Sequence, residues 1–256
     1  MRVTVLGCGP STGVPAVGPD GWGACDPTEP KNHRRRASIV VERGGTRVLV
    51  DTSPDLRVQL LDSGIWKVDA VLFTHAHADH VNGIDDIRSL NYYGGGALDG
   101  WAERATLDIL AQRFAYVFEP YRSTPPTFWR PCVTPREITG PFSVGELDVV
   151  PFRQEHGRMP TLGFRFGPFA YSTDAAGLPE DAFDALRGVD TWMVDCLSDS
   201  PHPTHSHVER TLDWIARVRP RRAVLTHMGF RLDYAALRAR LPDGVEPAYD
   251  GMAIEV

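Results

Sequence analysis

Thr74-His75-Ala76-His77-Ala78-Asp79-His80 gathers three histidines and one aspartate within six positions. The stretch follows directly on an apolar run, Asp69-Ala70-Val71-Leu72-Phe73, that reads as a buried strand. Asn82-Gly83 is turn or cap chemistry, so we expect a loop rather than a helix to carry the cluster. A loop at a strand's end is where an open sheet exposes side chains to a ligand. Imidazole nitrogens bind zinc and other first-row metals, and carboxylates add hard oxygen ligands. The i, i+2 spacing of His75 and His77 puts both rings on one side of extended backbone. Asp79 and His80 come one turn later and can face a neighbouring point, so one short loop can serve two metal ions. Three of the chain's nine histidines fall here, which argues against a solvated loop that merely happens to carry them.

The rest of the chain bounds the reading. Its 256 residues contain no linker-like stretch, so we expect one domain, residues 1–256. The formal net charge of −6 does not favour a nucleic-acid-binding surface. The local run His33-Arg34-Arg35-Arg36 is the exception, either a solvated loop edge or an anion-facing patch. Cysteines 8, 25, 132 and 196 lie far apart with no Cys-x-x-Cys pair, which argues against a disulfide framework or a zinc ribbon. Met1-Arg2-Val3-Thr4-Val5-Leu6-Gly7 is too short and too soon broken for a signal peptide, and no apolar run approaches a membrane span. The expected compartment is the cytoplasm.

In chain order, Val3 to Leu6 reads as a strand, followed by the turn-rich Gly7-Cys8-Gly9-Pro10-Ser11-Thr12-Gly13-Val14-Pro15. Residues 16–37 read as a long loop. Ser38 to Glu42 and Arg47 to Asp51 form a hairpin. Ser53 suits an N-cap with Pro54 at the first helical position, Leu56, Leu60 and Leu61 as the apolar stripe and Gly64 as the stop. Asp51, at a strand end, suits either a partner of a ligand histidine or a cap of the turn. Ile84, Ile87 and Leu90 continue at helical spacing. Residues 92–141, aromatic at Tyr121, Phe128 and Trp129 and proline-rich from Pro120, read as an insertion, either an active-site wall or a surface excursion. Further strands run from Val144 to Phe152, Leu162 to Phe166, Phe169 to Thr173 and Thr191 to Asp195. His156 and Asp174 stand at two of these strand ends. Ser200 to His207 carries His202, His205 and His207, more histidines than two metals need, and histidine has the unperturbed pKa for a proton donor. Ala223-Val224-Leu225-Thr226-His227 repeats the theme of Ala70-Val71-Leu72-Phe73-Thr74-His75, so each half delivers a histidine at a strand end.

The His-x-His-x-Asp-His stretch closely resembles the signature of the metallo-β-lactamase-fold hydrolases. The Gly7–Pro15 opening, Asp51-Thr52-Ser53-Pro54-Asp55-Leu56 and the His202–His207 region extend the resemblance, toward the branch holding tRNase Z and the phosphodiesterase PhnP. It implies an α/β fold, a four-layer αββα sandwich. It implies that His75, His77 and His156 hold one metal, that Asp79, His80 and His227 hold a second, and that Asp174 bridges. Relatives of the lactamase type have cysteine where Asp174 stands, which argues against lactamase activity. The implied cofactors are two divalent ions, Zn²⁺ or Mn²⁺, and the implied reaction is hydrolysis of small phosphodiesters, a ribose cyclic phosphate among the candidates. A metal-activated hydroxide would attack, with Asp79 steering it and a histidine as general acid: His205 first, then His207, then His202. The alternatives are a tRNA 3′-end endonuclease, disfavoured by the charge, and a non-catalytic metal-bearing carrier of a cofactor pathway. Some PhnP-like proteins carry a further structural zinc. Cys8, Cys25 and His33 are a thin set for one, and we expect none. Homodimers are common among relatives.

Overall fold

Alternation along the strands divides the apolar residues between two cores. In β1 (Arg2–Gly7), β2 (Ser38–Arg43) and β3 (Thr46–Val50), residues Val3, Val5, Ile39, Val41, Val48 and Val50 join one buried cluster. Their neighbours Leu6, Val40 and Leu49 join another. A period of two sends successive side chains to opposite faces, so each strand is buried on both sides. The computed structural model describes residues 1–119 and 131–256.

The first half continues through α1 (Leu56–Ser63), β4 (Ala70–Leu72), α2 (Ala78–Val81), α3 (Ile87–Gly94), β5 (Leu98–Ala102), α4 (Arg104–Arg113), α5 (Ala115–Phe118) and β6 (Val133–Glu137). The second comprises β7 (Phe142–Val144), β8 (Leu147–His156), β9 (Met159–Phe166), β10 (Phe169–Ser172), α6 (Glu180–Leu186), β11 (Thr191–Asp195), α7 (Val208–Val218), β12 (Arg222–Thr226), α8 (Tyr234–Arg240) and β13 (Val245–Pro247). β14 (Ala253–Glu255) returns to pair with β1. The first sheet runs β14-β1-β2-β3-β4-β5-β6 and the second β13-β12-β11-β10-β9-β8-β7. Residues of both sheets, among them Val50, Leu72, Phe164, Tyr171 and Trp192, fill the core between them. Leu56, Ile84, Ile87 and Leu90 pack the helices onto the first sheet's outer face. This is the expected αββα sandwich. β3 to β6 are mutually parallel, as are β10 to β13. The carboxyl ends of such strands are where side chains reach a ligand.

Several local expectations shift. Asp79 and His80 sit on the four-residue helix α2, not in a loop, because His80 N donates to His77 O and Asn82 N to Ala78 O. α1 starts two residues beyond the expected point. Ser53 Oγ accepts from Asp55 N in the turn before it, and Asp55 takes the N-cap position. Leu61 is exposed, so Leu56 and Leu60 carry that helix's buried face. The stretch expected as an insertion supplies β5 and β6 to the first sheet. Pro135 is tolerated in β6 because that strand lies at the sheet's edge. Pro120, Tyr121, Pro125, Pro126, Phe128 and Trp129 lie outside the described residues. The strand expected over Val144 to Phe152 is two, β7 and β8, and β13 is an additional edge. No helix among the described residues is long and apolar enough to cross a membrane.

The stretch from His75 to His80 is seated by close backbone approach. Thr52 N donates to His80 O and Gly83 N to Thr52 O. A Cβ on Gly83 would lie 1.9 Å from Ser53 O and 2.9 Å from the Leu56 Cβ. Gly83→Ala is therefore expected to cost about 3 kcal/mol by overpacking. Gly64→Ala, at φ +66 with only an ordinary contact to the Trp66 ring at 3.6 Å, is expected to cost about 1 kcal/mol. Urea unfolding of both variants reads the difference, and equal losses would contradict the close-approach explanation.

Candidate metal centre

Five segments bring their ends to one point. Thr74 and His75 follow β4, His156 ends β8, Thr173 and Asp174 follow β10, Asp195 ends β11 and His227 follows β12. Asp51 (φ 64), Asp174 (φ 54) and His227 (φ 57) adopt left-handed backbone, three of the four non-glycine residues that do so among those described. Such positions cost about 1–3 kcal/mol each and concentrate at functional sites. Here they turn a strand end so that its side chain points inward.

Asp174 divides its two oxygens between two groups. Oδ2 lies 3.8 Å from His75 Nε2 and 3.6 Å from His156 Nε2, and His156 Nε2 lies 3.2 Å from His77 Nδ1. Oδ1 lies 3.1 Å from His80 Nε2 and 3.3 Å from His227 Nε2. Asp79 Oδ2 completes this second group at 3.3 Å from His80 Nε2 and 3.7 Å from His227 Nε2. Atoms bound tetrahedrally at about 2.1 Å to one cation lie about 3.4 Å apart, and the pairs above, at 3.1–3.8 Å, lie around that spacing.

Outer hydrogen bonds set which nitrogens are free. His156 Nδ1 lies 2.6 Å from Thr204 O, and a carbonyl only accepts, so that nitrogen carries the proton. His80 Nδ1 donates to Asp51 Oδ2 at 2.7 Å. Thr74 Oγ1 gives its proton to Asp51 Oδ2 and so accepts from His75 Nδ1 at 3.0 Å. With Nδ1 so committed, it is Nε2 of each ring that faces Asp174, and in the neutral imidazole that nitrogen is the free lone-pair donor. His75 Nε2, His80 Nε2 and His227 Nε2 are buried with no hydrogen-bond partner. Buried polar atoms without partners are costly unless something fills the gap between them. Two divalent cations fit this donor set of five imidazoles and two carboxylates.

Electrostatics point the same way. Burial would raise Asp174, but His227, His80 and His75 hold it well below the usual carboxylate range. Burial opposes Asp79 likewise, and His80 and His227 pull it down. His80 is raised well above its ordinary value, since Asp174, Asp51 and Asp79 outweigh its burial. His205 is raised too. Burial pulls it down, and the nearby charge of Asp195, with Asp174 and Asp79, more than compensates.

The remaining candidates separate. The His205 ring stands 4.8 Å from those of His156 and His227, with Nδ1 3.6 Å from Asp195 Oδ1. His207 occupies the N-cap position of α7 and belongs to none of the ligating groups among the described residues. His202 is exposed, 5.3 Å from His205, with Nδ1 3.1 Å from Thr204 Oγ1. Asp51 hydrogen-bonds His80, a candidate ligand. Cys8 and Cys25 go to different acceptors, Asp250 and the carbonyls of Phe230 and Leu232, and His33 packs edge-on against Trp22. In the basic run, Arg35 pairs with Asp62 and Arg36 with Asp55, while Arg34 is buried. Sequence reading passed over Asp195, which accepts from Asp174 N and Ser206 N and faces both His205 and His227. Its signal, an aspartate at a strand's end, is the one that marked Asp51. Arg113, also missed, donates to Ala76 O between His75 and His77 at 2.6 Å.

Residues 46–228 match the Beta-lactamase superfamily domain family. A protein of Porphyromonas gingivalis (strain ATCC BAA-308 / W83) described as an octanoyltransferase is 35% identical over 260 residues, covering 98% of this chain and 51% of that protein. A ribonuclease Z of Bradyrhizobium sp. (strain ORS 278) is 29% identical over 141 residues, 54% of this chain and 46% of that one. The chain thus spans about half the length of the curated relatives it matches. Among solved structures, a diphosphatase of the PhnP family superposes with a TM-score of 0.89 at 32% identity, covering 100% of this chain and 97% of that one. Zn²⁺-bound PqqB from Methylobacterium extorquens superposes at 0.75 with 19% identity over 100% of both chains, a likeness of fold.

Asp51 anchors two ligand rings, one directly and one through Thr74. In Asp51→Asn a single oxygen cannot accept from both Thr74 N and His80 Nδ1, so metal affinity is expected to fall about 10- to 100-fold. Competition with a chromophoric chelator measures it. Unchanged affinity would mean that Asp51 only caps its turn.

Proposed function

Because this chain belongs to the beta-lactamase superfamily and has the metallo-β-lactamase fold of its hydrolases, we propose that it is a two-metal phosphodiesterase acting on small phosphodiesters. The observation that carries the reading is the Asp174 carboxylate, one oxygen turned to each group of imidazoles. Bound there, two divalent cations supply Lewis-acid charge and a nucleophilic water near neutral pH. His75, His77 and His156 would hold one, Asp79, His80 and His227 the other, with Asp174 facing both groups. Asp79 is the most open carboxylate of the set, its side chain 12% exposed against 2% for Asp174, and it orients the attacking water. His205 has Nδ1 turned to Asp195, which leaves Nε2 for the substrate. From there it protonates the departing alkoxide.

A second reading is a diphosphatase, favoured by the likeness at 32% identity. A phosphate leaving group needs less help from a proton than an alkoxide does, so dependence on His205 separates the two. An RNA-processing reading, prompted by the ribonuclease Z relative, sits poorly with a net charge of −6. The octanoyltransferase relative extends well beyond the region this chain matches, so acyl chemistry is assigned no residues here.

A panel of metal-loaded assays tests the proposal: bis-p-nitrophenyl phosphate, alkyl and cyclic ribose phosphodiesters, a dinucleoside diphosphate, precursor tRNA and an octanoyl ester. Fastest turnover of a phosphodiester is expected. A diphosphate, RNA or ester preference would replace the assignment. Asp174→Ala is expected to lower zinc content below one ion per chain and the rate at least about 10³-fold, and retention of both would refute the bridge. His205→Ala is expected to cost about 10²- to 10⁴-fold on alkyl esters and far less on nitrophenyl esters. Equal losses would assign His205 a structural role.

A further inference from the structure

His227 differs from three of the other candidate ligand histidines in what holds it. His75, His80 and His156 each have Nδ1 fixed by a short hydrogen bond. His227 has none on either nitrogen, and Asp195 Oδ1 stands 3.7 Å away. Its ring is stacked on His205 and His80, and its direction is set by a backbone that is left-handed at φ 57. The residues that follow, up to α8, form no regular helix or strand, so their polar groups need partners from elsewhere.

Those partners come largely from the loop of residues 8–37. Met228 N donates to Cys8 O, and Phe230 O accepts from Ala24 N and from Cys25 Sγ. Asn32 binds Asp233 and Tyr234 N. At the centre is Arg34, 2% exposed. Its Nη1 donates to Met228 O at 3.3 Å and Gly229 O at 3.1 Å. Its Nη2 donates to Leu232 O at 2.7 Å and Asn32 Oδ1 at 3.1 Å. All four acceptors are uncharged. A buried cation held by dipoles alone is expensive, and a planar fork with donors on both arms is the one side chain that satisfies three such carbonyls together.

We propose that Arg34 is a positioning residue for the metal site of Asp79, His80, Asp174 and His227. By clamping the carbonyls of residues 228, 229 and 232, it keeps His227 in its strained backbone conformation and its Nε2 aimed at Asp174. The inference rests on the two-metal reading above.

Zinc titration by calorimetry tests it, in the parent chain and in Arg34→Met, each also combined with His227→Ala or His77→Ala. The parent is expected to bind two ions. Arg34→Met should weaken one ion about 10- to 100-fold, the range for lost outer partners of metal ligands, and leave the other unchanged. In the His227→Ala background Arg34→Met should make no further difference, and in the His77→Ala background its full effect should persist. Equal losses in both backgrounds, or none with His77→Ala, overturn the proposal in favour of general structural support. If Arg34→Met does not fold, Arg34→Lys keeps the charge but reaches fewer carbonyls. It should show a loss of about 3- to 10-fold with the same dependence on background, and a background-independent loss again overturns the proposal. A parent that binds fewer than two ions defeats the two-metal reading itself. A parent with two ions and an unselective loss defeats the role of Arg34 alone.

Discussion

The sharing of one buried carboxylate between two sets of imidazoles is the constraint from which the rest of the site follows. Asp174 can face both groups only if the carboxyl ends of β4, β8, β10 and β12 meet within a few ångströms. That requires the two sheets to stack with their parallel strands ending at the same edge. The apolar core between the sheets supplies the driving force for stacking, but hydrophobic burial is non-directional and does not choose this registration. Registration comes from polar groups at the edge. Asp51 ties β3 to the end of β4 through Thr74 and to α2 through His80. Asp195 ties β11 to the end of β10 and to Ser206.

The two halves solve one problem twice. Each has a parallel strand ending in Thr-His and, on the neighbouring strand, a buried aspartate at its carboxyl end. The solutions differ in detail. Asp51 grips its histidine partner at 2.7 Å, whereas Asp195 stands 3.6 Å from His205 and 3.7 Å from His227. The first half therefore fixes ring orientation by direct hydrogen bonds. In the second, His156 is held by the Thr204 carbonyl, while His227 and His205 have no such bond to Asp195. The duplicated frame thus holds one of its two strand-end histidine sites tightly and leaves the other more loosely held.

How much could be read beforehand depended on how local the signal was. His75, His77, Asp79 and His80 stand within six positions, so their joint role was visible in the sequence itself. His156, Asp174 and His227 are single residues at the ends of separate strands, and resemblance to a family brought them together. Asp195 looked like any acidic residue closing a strand, because its meaning lies in the chain segments that pack against it. Arg34 was read within a basic run as surface. Sequence cannot distinguish an arginine that meets solvent from one that meets three carbonyls contributed nearly 200 positions later. Helix α2 was missed because Asn82-Gly83 signals an end, and an element of one turn leaves no periodicity to detect.

Charge accounts for why so many strained and polar positions coexist at this edge. Asp51, Asp79, Asp174 and Asp195 place four carboxylates around one small volume. Without cations the histidines must answer that charge, and His80 is pulled far above its ordinary pKa against the opposing effect of burial. Two divalent ions would bring four positive charges to the same volume and free the imidazoles to remain neutral donors, the form in which they ligate metal. The left-handed backbone at Asp51, Asp174 and His227 and the uncompensated guanidinium of Arg34 then have a common offset. Metal binding to the folded state stabilises it by mass action, so strain that would burden the free chain is carried by the loaded one.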